Sequence, residues 1–184
     1  DLGGGLGIPY NNDKTPSPQE YGIVIREILG DMKCNLIVEP GRLIVGNAGI
    51  LVTKVIYYKK GDARNFVILD AAMNDLMRPS LYDAEHEIIN VIETNQNVEK
   101  DAVDIVGPVC ETGDTFARQV RLSKCETGDL FAIRSAGAYG ATMSSTYNSR
   151  ALIPEVMVNK SRYTTIRERI EPETYLNYEK IPDW

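Results

Sequence analysis

The residues best suited to chemistry in this chain sit in two short stretches, Asp1-Leu-Gly-Gly-Gly-Leu-Gly-Ile8 and Val38-Glu-Pro-Gly-Arg42. Three consecutive glycines, Gly3, Gly4 and Gly5, lack Cβ atoms, so their backbone N–H groups can close around an anion. The second stretch ends the β-rich run Asn35-Leu-Ile-Val38 in a tight turn that offers the Glu39 carboxylate, further backbone donors and the Arg42 guanidinium. One helical stretch separates the two. In that order they read as a phosphate cradle built from adjacent βα loops. Alone, a glycine run is a plain turn; the pairing is what points to a ligand.

The elements that must position these loops follow from the pattern. Tyr10 to Thr15 reads as a polar loop, and Ser17-Pro18-Gln-Glu20 has a capping Ser, a Pro at the first helical position and a Glu three residues after the cap. Tyr21, Ile23, Val24, Ile28 and Leu29 then fall at helical spacing, and Gly30 ends the helix. Residues 1–48 therefore have α/β texture. From Gly49 the chain changes to short β-rich runs at Ile50–Tyr58, Asn65–Asp70, His86–Ile92, Asp101–Val106, Phe116–Leu122 and Asp129–Ser135. Turn residues separate several of them, which predicts an antiparallel sandwich or barrel of six or more strands. A final helix is expected at about Thr164–Ile170, before a tail rich in Tyr and Pro. A complete (β/α)₈ barrel takes roughly 250 residues, so with α/β texture confined to residues 1–48 most of any such barrel is expected to be missing.

Composition bounds the partners. The chain has 184 residues, 43% hydrophobic and 25% charged, with net charge −6 and a pI near 4.9. Its 20 basic residues form no stripe with interleaved aromatics, so nucleic acid is not expected. Glycines break the longest apolar runs well short of the roughly 20 residues of a membrane span. Cys34, Cys110 and Cys125 make an odd count without CxxC spacing, which fits a reducing cytoplasm. The chain opens inside a motif without an initiator Met and reads as part of a longer polypeptide.

Cys110-Glu-Thr-Gly-Asp-Thr-Phe-Ala117 and Cys125-Glu-Thr-Gly-Asp-Leu-Phe-Ala132 share seven of eight residues. With no third copy they are two similar turn-to-strand corners and not a solenoid. His86, the single histidine, stands among scattered carboxylates that make neither a zinc site nor a triad, so a structural or solvent-facing role is expected and no metal. Cys34, just before an apolar run, is expected in the core.

Six stretches in the same order carry a resemblance: Asp1–Ile8, Glu39-Pro-Gly-Arg42, Met77-Arg-Pro-Ser-Leu-Tyr82, Gly107-Pro-Val-Cys-Glu-Thr-Gly-Asp114, Gly137-Ala-Tyr-Gly-Ala-Thr-Met143 and Asn148-Ser-Arg150. Together they resemble the fold-type III, pyridoxal-phosphate-dependent decarboxylases, and within them the branch acting on diaminopimelate. The resemblance implies a fold of α/β plus all-β type: residues 1–48 as C-terminal βα segments of a cofactor-binding (β/α)₈ barrel, 49–158 as a β-sandwich, and 159–184 as a helix and tail packing back on the barrel side. It also implies a homodimer with shared active sites. The lysine that binds the cofactor and the histidine that stacks on its ring lie on earlier barrel strands in that family, so this chain alone is expected to be inactive.

By the same resemblance, Gly3, Gly4 and Gly5 wrap the phosphate of pyridoxal 5′-phosphate and Glu39 pairs with the protonated pyridine nitrogen, while Pro40 and Gly41 complete that turn. Arg42 serves the phosphate or a substrate carboxylate, a task that suits a planar fork. Arg78 and Tyr82 hold the distal end of the substrate. Ornithine lacks a far carboxylate and would not need Arg78. Cys110, supplied by the partner subunit, protonates the substrate carbon after CO₂ leaves, as a thiol that holds its proton at neutral pH can do. Glu111 meets the distal ammonium, and Tyr139 approaches the phosphate and the substrate. The expected reaction converts meso-2,6-diaminopimelate to L-lysine. Decarboxylases of ornithine, arginine or carboxynorspermidine, an alanine racemase relative and a non-catalytic module of the same fold remain as alternatives at this point. Cys125, which leads into the apolar run Leu130-Phe-Ala-Ile133, is expected to be structural.

Overall fold

The computed structural model describes residues 1–10, 14–92 and 100–184; residues 11–13, inside the loop expected at Tyr10–Thr15, lie outside this set. Helix α1 (Pro18–Leu29) starts as its sequence dictates: Ser17 Oγ accepts from Glu20 N at 3.2 Å, and the Glu20 carboxylate accepts from Ser17 N at 2.7 Å. No residue of α1 is buried, and Ile23, Val24 and Ile28 are exposed. Asn35–Val38, expected as a strand, forms no ladder. Leu2 N donates to the Ile37 carbonyl at 3.0 Å and Glu39 N to the Gly3 carbonyl at 2.7 Å, two rungs that lay the glycine run alongside it. Cys34 is exposed, as are Leu36, Ile37 and Val38, which corrects the expectation that Cys34 packs in the core.

The turn at Gly41 leads into the short helix α2 (Arg42–Val45) and a 3₁₀ turn at Gly46–Ala48. Strand β1 (Leu51–Lys59) buries Leu51, Thr53 and Val55 on one face and exposes Val52, Lys54 and Ile56 on the other. It pairs antiparallel with β2 (Asn65–Leu69), which is followed by the short helix α3 (Arg78–Tyr82) and strands β3 (Ile88–Asn90), β4 (Lys100–Val106), β5 (Thr115–Ser123) and β6 (Leu130–Ile133). These form one six-stranded sheet in the order β3-β6-β1-β2-β4-β5. The expected sandwich or barrel is antiparallel throughout, but β2 and β4 run parallel, with Asn65 opposite Val103 and Ile68 opposite Val106. Their connection is a crossover through α3 and β3, which a parallel pair requires and a hairpin cannot supply.

A second sheet consists of the hairpin β7 (Glu155–Asn159) and β8 (Arg162–Arg167), followed by α4 (Pro172–Leu176). The helix expected at Thr164–Ile170 is therefore corrected. Thr164, Thr165 and Ile166 are β-branched and pair across a hairpin, with Thr164 opposite Met157 and Tyr163 opposite Val158. The core of the main sheet gathers Val55, Val67, Leu69, Val103, Ile105, Phe131 and Ile133, all essentially inaccessible to solvent.

One contact ties this sheet to the motif loops. Gly137 N donates to the Gly46 carbonyl at 3.0 Å and Ala136 N to the Gly49 carbonyl at 2.9 Å. A Cβ on Gly137 would fall on the Val45 carbonyl oxygen, so only glycine lets these two backbones meet. In α1, by contrast, a Cβ on Gly22 would meet nothing within 4 Å. In urea unfolding, Gly137→Ala should lose about 2 kcal/mol or more, while Gly22→Ala should be neutral or gain up to about 1 kcal/mol. Equal effects of the two substitutions would show that the close approach is not required.

Candidate active site

The close approach at Gly137 sets α2 beside the loop that carries Tyr139, and a cavity of about 460 Å³ opens between them and the glycine run. Gly4, Gly5, Leu6, Glu39, Gly41 and Arg42 line one side of it, and Arg78, Tyr82, Tyr139 and Met143 the other. Gly5 takes a left-handed φ of +91°, and a Cβ on Gly4 would stand 2.6 Å from the Glu39 carbonyl oxygen, so the two motif loops touch through glycine. Gly3 also has positive φ, but its N–H donates to the Asp1 carboxylate at 2.7 Å and it does not line the cavity. Pro40 is likewise outside the lining.

Arg78 begins α3 and is only 7% exposed. Its guanidinium carbon stands 5.2 Å from the Tyr10 ring centroid, 5.7 Å from that of Tyr139 and 6.0 Å from that of Tyr82. Among the described residues no carboxylate lies in ion-pair range of Arg78 or Arg42, and Arg78 Nε is buried without a hydrogen-bond partner. A desolvated cation without a counter-charge marks a place for an anion.

The segment between β2 and α3 is pinned by buried polar groups. Thr53 Oγ1 donates to Asp70 Oδ1 at 2.7 Å, Ala72 N donates to Asp75 Oδ2 at 2.8 Å, and Arg150 donates to the Asp70 carbonyl at 2.6 Å. Asn74 Nδ2 donates to the Ser145 carbonyl at 3.1 Å, which joins this segment to the loop after Tyr139. Burial pushes the Asp75 carboxyl above its ordinary pKa, and the charges of Asp114 and Asp70 add to the rise against the Ala72 amide and Arg150.

Cys110 and Glu111 are not brought to this cavity. Both are exposed; Glu111 accepts from the Tyr147 hydroxyl at 3.3 Å and lines a separate cavity of about 480 Å³ with Met73, Met77 and Ser145. Their loop is held by Asp114, whose two oxygens accept from Met73 N and Val109 N, each at 2.7 Å. Cys125, in contrast, is 3% exposed within the core, and burial together with the Asp129 charge raises its thiol pKa.

Comparison with known proteins places this geometry. Residues 13–137 match the family model described as pyridoxal-dependent decarboxylase, C-terminal sheet domain. The chain belongs to that family. It is 51% identical to the diaminopimelate decarboxylase of Zymomonas mobilis over its whole length, covering 44% of that protein. The diaminopimelate decarboxylase of Helicobacter pylori, solved in complex with L-lysine, superposes with a TM-score of 0.88 at 41% identity, over 95% of this chain and 43% of that one. The M. jannaschii enzyme gives 0.91 at 39% identity, over 99% and 43%. The chain thus spans less than half the length of these relatives.

Two residues beside this cavity were not singled out as site residues by sequence. Tyr10 lay in a loop with no periodicity to mark it, yet it stands behind both arginines. His86 is buried; its Nδ1 donates to the Arg134 carbonyl at 2.8 Å, and its ring meets the Tyr10 ring edge-on with centroids 5.1 Å apart. Burial lowers the His86 pKa and the Arg78 charge lowers it further, against the opposing Arg134 carbonyl. The folded chain therefore holds the imidazole neutral below its ordinary pKa of about 6.5, where the unfolded chain takes up a proton. Stability is complete above that value and falls as pH drops toward the folded pKa, by at most about 1.4 kcal/mol per pH unit. Between about pH 7.5 and 5.5, the urea midpoint should fall more steeply for the native sequence than for His86→Asn, whose amide still donates to the carbonyl. Parallel slopes would exclude His86 as the source.

Proposed function

We propose that the protein carrying this segment is a diaminopimelate decarboxylase, which uses pyridoxal 5′-phosphate to remove one carboxylate of meso-2,6-diaminopimelate and release L-lysine. The single observation that carries this reading is the cavity in which two unpaired guanidiniums, a carboxylate and glycine amides converge. Names of relatives at 51% and 48% identity support it. The unpaired, buried Arg78 favours a substrate with a second carboxylate over one that ends in an amine alone.

The donor set fits the cofactor. Gly4 and Gly5, on the left-handed turn, would hold the phosphate with backbone amides, Gly3 and Gly41 would shape the two loops, and Pro40 would fix the turn that presents Glu39. Glu39 would hold the proton on the pyridine nitrogen. Bound pyridoxal phosphate supplies an electron sink for cleavage of the bond between Cα and the departing carboxylate. Arg42 would bind the phosphate or the near carboxylate, Arg78 and Tyr82 the far carboxylate, and Tyr139 would close the space between them. The exposed apolar faces of α1 and residues 36–38 fit burial against the rest of a (β/α)₈ barrel.

Cys110 and Glu111, anchored by Asp114 outside this cavity, fit a homodimer in which each subunit lends its loop to the other's site. There Cys110 Sγ–H would give its proton to the carbon that has lost CO₂, and Glu111 would receive the far ammonium. Unpaired cysteines suit the cytoplasm; among the described residues no helix is long and apolar enough to cross a membrane.

In the full-length protein, meso-diaminopimelate should release L-lysine and CO₂ while ornithine is turned over poorly, and Cys110→Ala should lower kcat by about 10²-fold or more where Cys125→Ala does not. Mixing the inactive variants Glu39→Ala and Cys110→Ala should restore up to about a quarter of native activity, because half the dimers are mixed and each has one intact site. No recovery despite proven subunit exchange would place both residues in one subunit's site.

A further inference from the structure

Arg42 and Arg78 come from elements far apart in the chain, and both converge on one ring that does not line the cavity. The Arg78 guanidinium carbon lies 5.2 Å and that of Arg42 5.8 Å from the centroid of Tyr10, and Arg42 Nη1 reaches the Tyr10 hydroxyl at 3.5 Å. The His86 ring backs the tyrosine edge-on at 78°. Both guanidiniums carry a positive charge to this ring, and neither has a carboxylate in ion-pair range among the described residues. The electron-rich face of an aromatic ring attracts a cation without neutralising it. A carboxylate at position 10 would consume the arginines' capacity for an anion; a tyrosine ring steadies them and leaves that capacity free.

We propose that Tyr10 is the positioning residue that spaces Arg42 and Arg78 as a pair of anion clamps, and that it thereby sets the pocket's selectivity for a substrate carrying a carboxylate at its far end. Tyr82 and Tyr139 also face Arg78, but they line the cavity and would meet the ligand themselves. Among the described aromatic rings Tyr10 is the one that contacts both arginines, and the ring of His86 packs against it edge-on. The inference rests on the proposed reading of the pocket as a diaminopimelate site, in so far as it takes the two arginines for substrate and phosphate clamps.

The ring and not the hydroxyl is the active part, since the hydroxyl contact is long. In the full-length protein loaded with cofactor, Tyr10→Phe should keep KM for meso-diaminopimelate within about twofold, while Tyr10→Leu should raise it about tenfold with kcat changed less than about threefold. Binding of pimelate, a seven-carbon dicarboxylate with no amine to react, should weaken in the same proportion by calorimetry. Because the Leu side chain could disturb folding, a series of Tyr10→Phe variants with one, three and five ring fluorines decides the matter: each fluorine weakens the ring's attraction for a cation at nearly constant shape, so the pimelate Kd should climb stepwise. A flat Kd across that series, or no pimelate binding by the native protein, overturns the role of Tyr10. If the stepwise trend appears but the native protein does not decarboxylate diaminopimelate, Tyr10 is supported and the substrate reading fails; turnover with a flat series leaves the substrate reading standing and removes Tyr10.

Discussion

A guanidinium buried without a counter-charge must be held by everything around it, and Arg78 imposes that demand on this fold. Left to itself it would swing toward solvent or toward an acidic neighbour. Three carboxylates of the surrounding loops are engaged elsewhere: Asp70 by Thr53 and the Lys54 amide, Asp75 by the Ala72 amide and Arg150, Asp114 by the Met73 and Val109 amides. These bonds fix the backbone that presents Arg78 and at the same time keep their carboxylates away from it. The aromatic rings around the guanidinium then supply attraction without supplying a partner. The outcome is a rigid cation with its hydrogen-bonding capacity held in reserve.

Much of this was legible in the sequence where a single residue type is forced by geometry. Consecutive glycines announced a backbone free of Cβ atoms; Gly5 uses that freedom for a left-handed φ and Gly4 for a close approach to the Glu39 carbonyl. The capping box at Ser17 and Glu20 needed only local bonds and appears as written. The β-rich run expected at Ile50–Tyr58 appears as β1, Leu51–Lys59. What escaped is what depends on distant parts of the chain. No local signal tells that β2 will lie parallel to β4, because that pairing is chosen by a crossover of 30 residues, 70–99. Tyr10 was equally silent, since a ring in an aperiodic loop acquires meaning only when two arginines arrive at it. The helix expected at residues 164–170 failed for another reason: Thr164, Thr165 and Ile166 are β-branched and pair in the hairpin with β7.

The near-identical corners at Cys110 and Cys125 show how little seven shared letters decide by themselves. In the first, Asp114 is buried and accepts from the Met73 amide of another loop and from the Val109 amide of its own, and a Cβ on Gly107 would overlap its carboxylate. That corner leaves Cys110 and Glu111 on the surface. In the second, Asp129 stays exposed and takes only the Glu126 amide three residues back, while Thr127 bonds to the Ile56 carbonyl. That corner lies flat on β1, and its cysteine sinks into the core beside Phe131. The preceding residues, Gly107-Pro108 in one case and Ser123-Lys124 in the other, set the approach of the chain and so the fate of the thiol.

The two walls of the cavity also differ in what sustains them. Arg78, Tyr82 and Tyr139 are carried by a sheet whose core is closed, with Val55, Leu69, Ile105 and Phe131 shut off from water within this chain alone. Gly4, Gly5 and Glu39 are carried by segments whose apolar residues, in α1 and at 36–38, find no cover among the described residues. Hydrophobic burial is what makes one arrangement of a loop outweigh the many others open to it. The wall that would recognise the far end of a substrate is thus organised by the sheet itself, whereas the wall that would cradle a phosphate is joined to it chiefly through the clasp of Gly46, Gly49 and Gly137. Under the reading proposed here, that clasp lets two structures of unequal independence share one ligand: a shift of α2 against the Tyr139 loop would move Arg42 relative to Arg78 before it moved any residue of the sheet core.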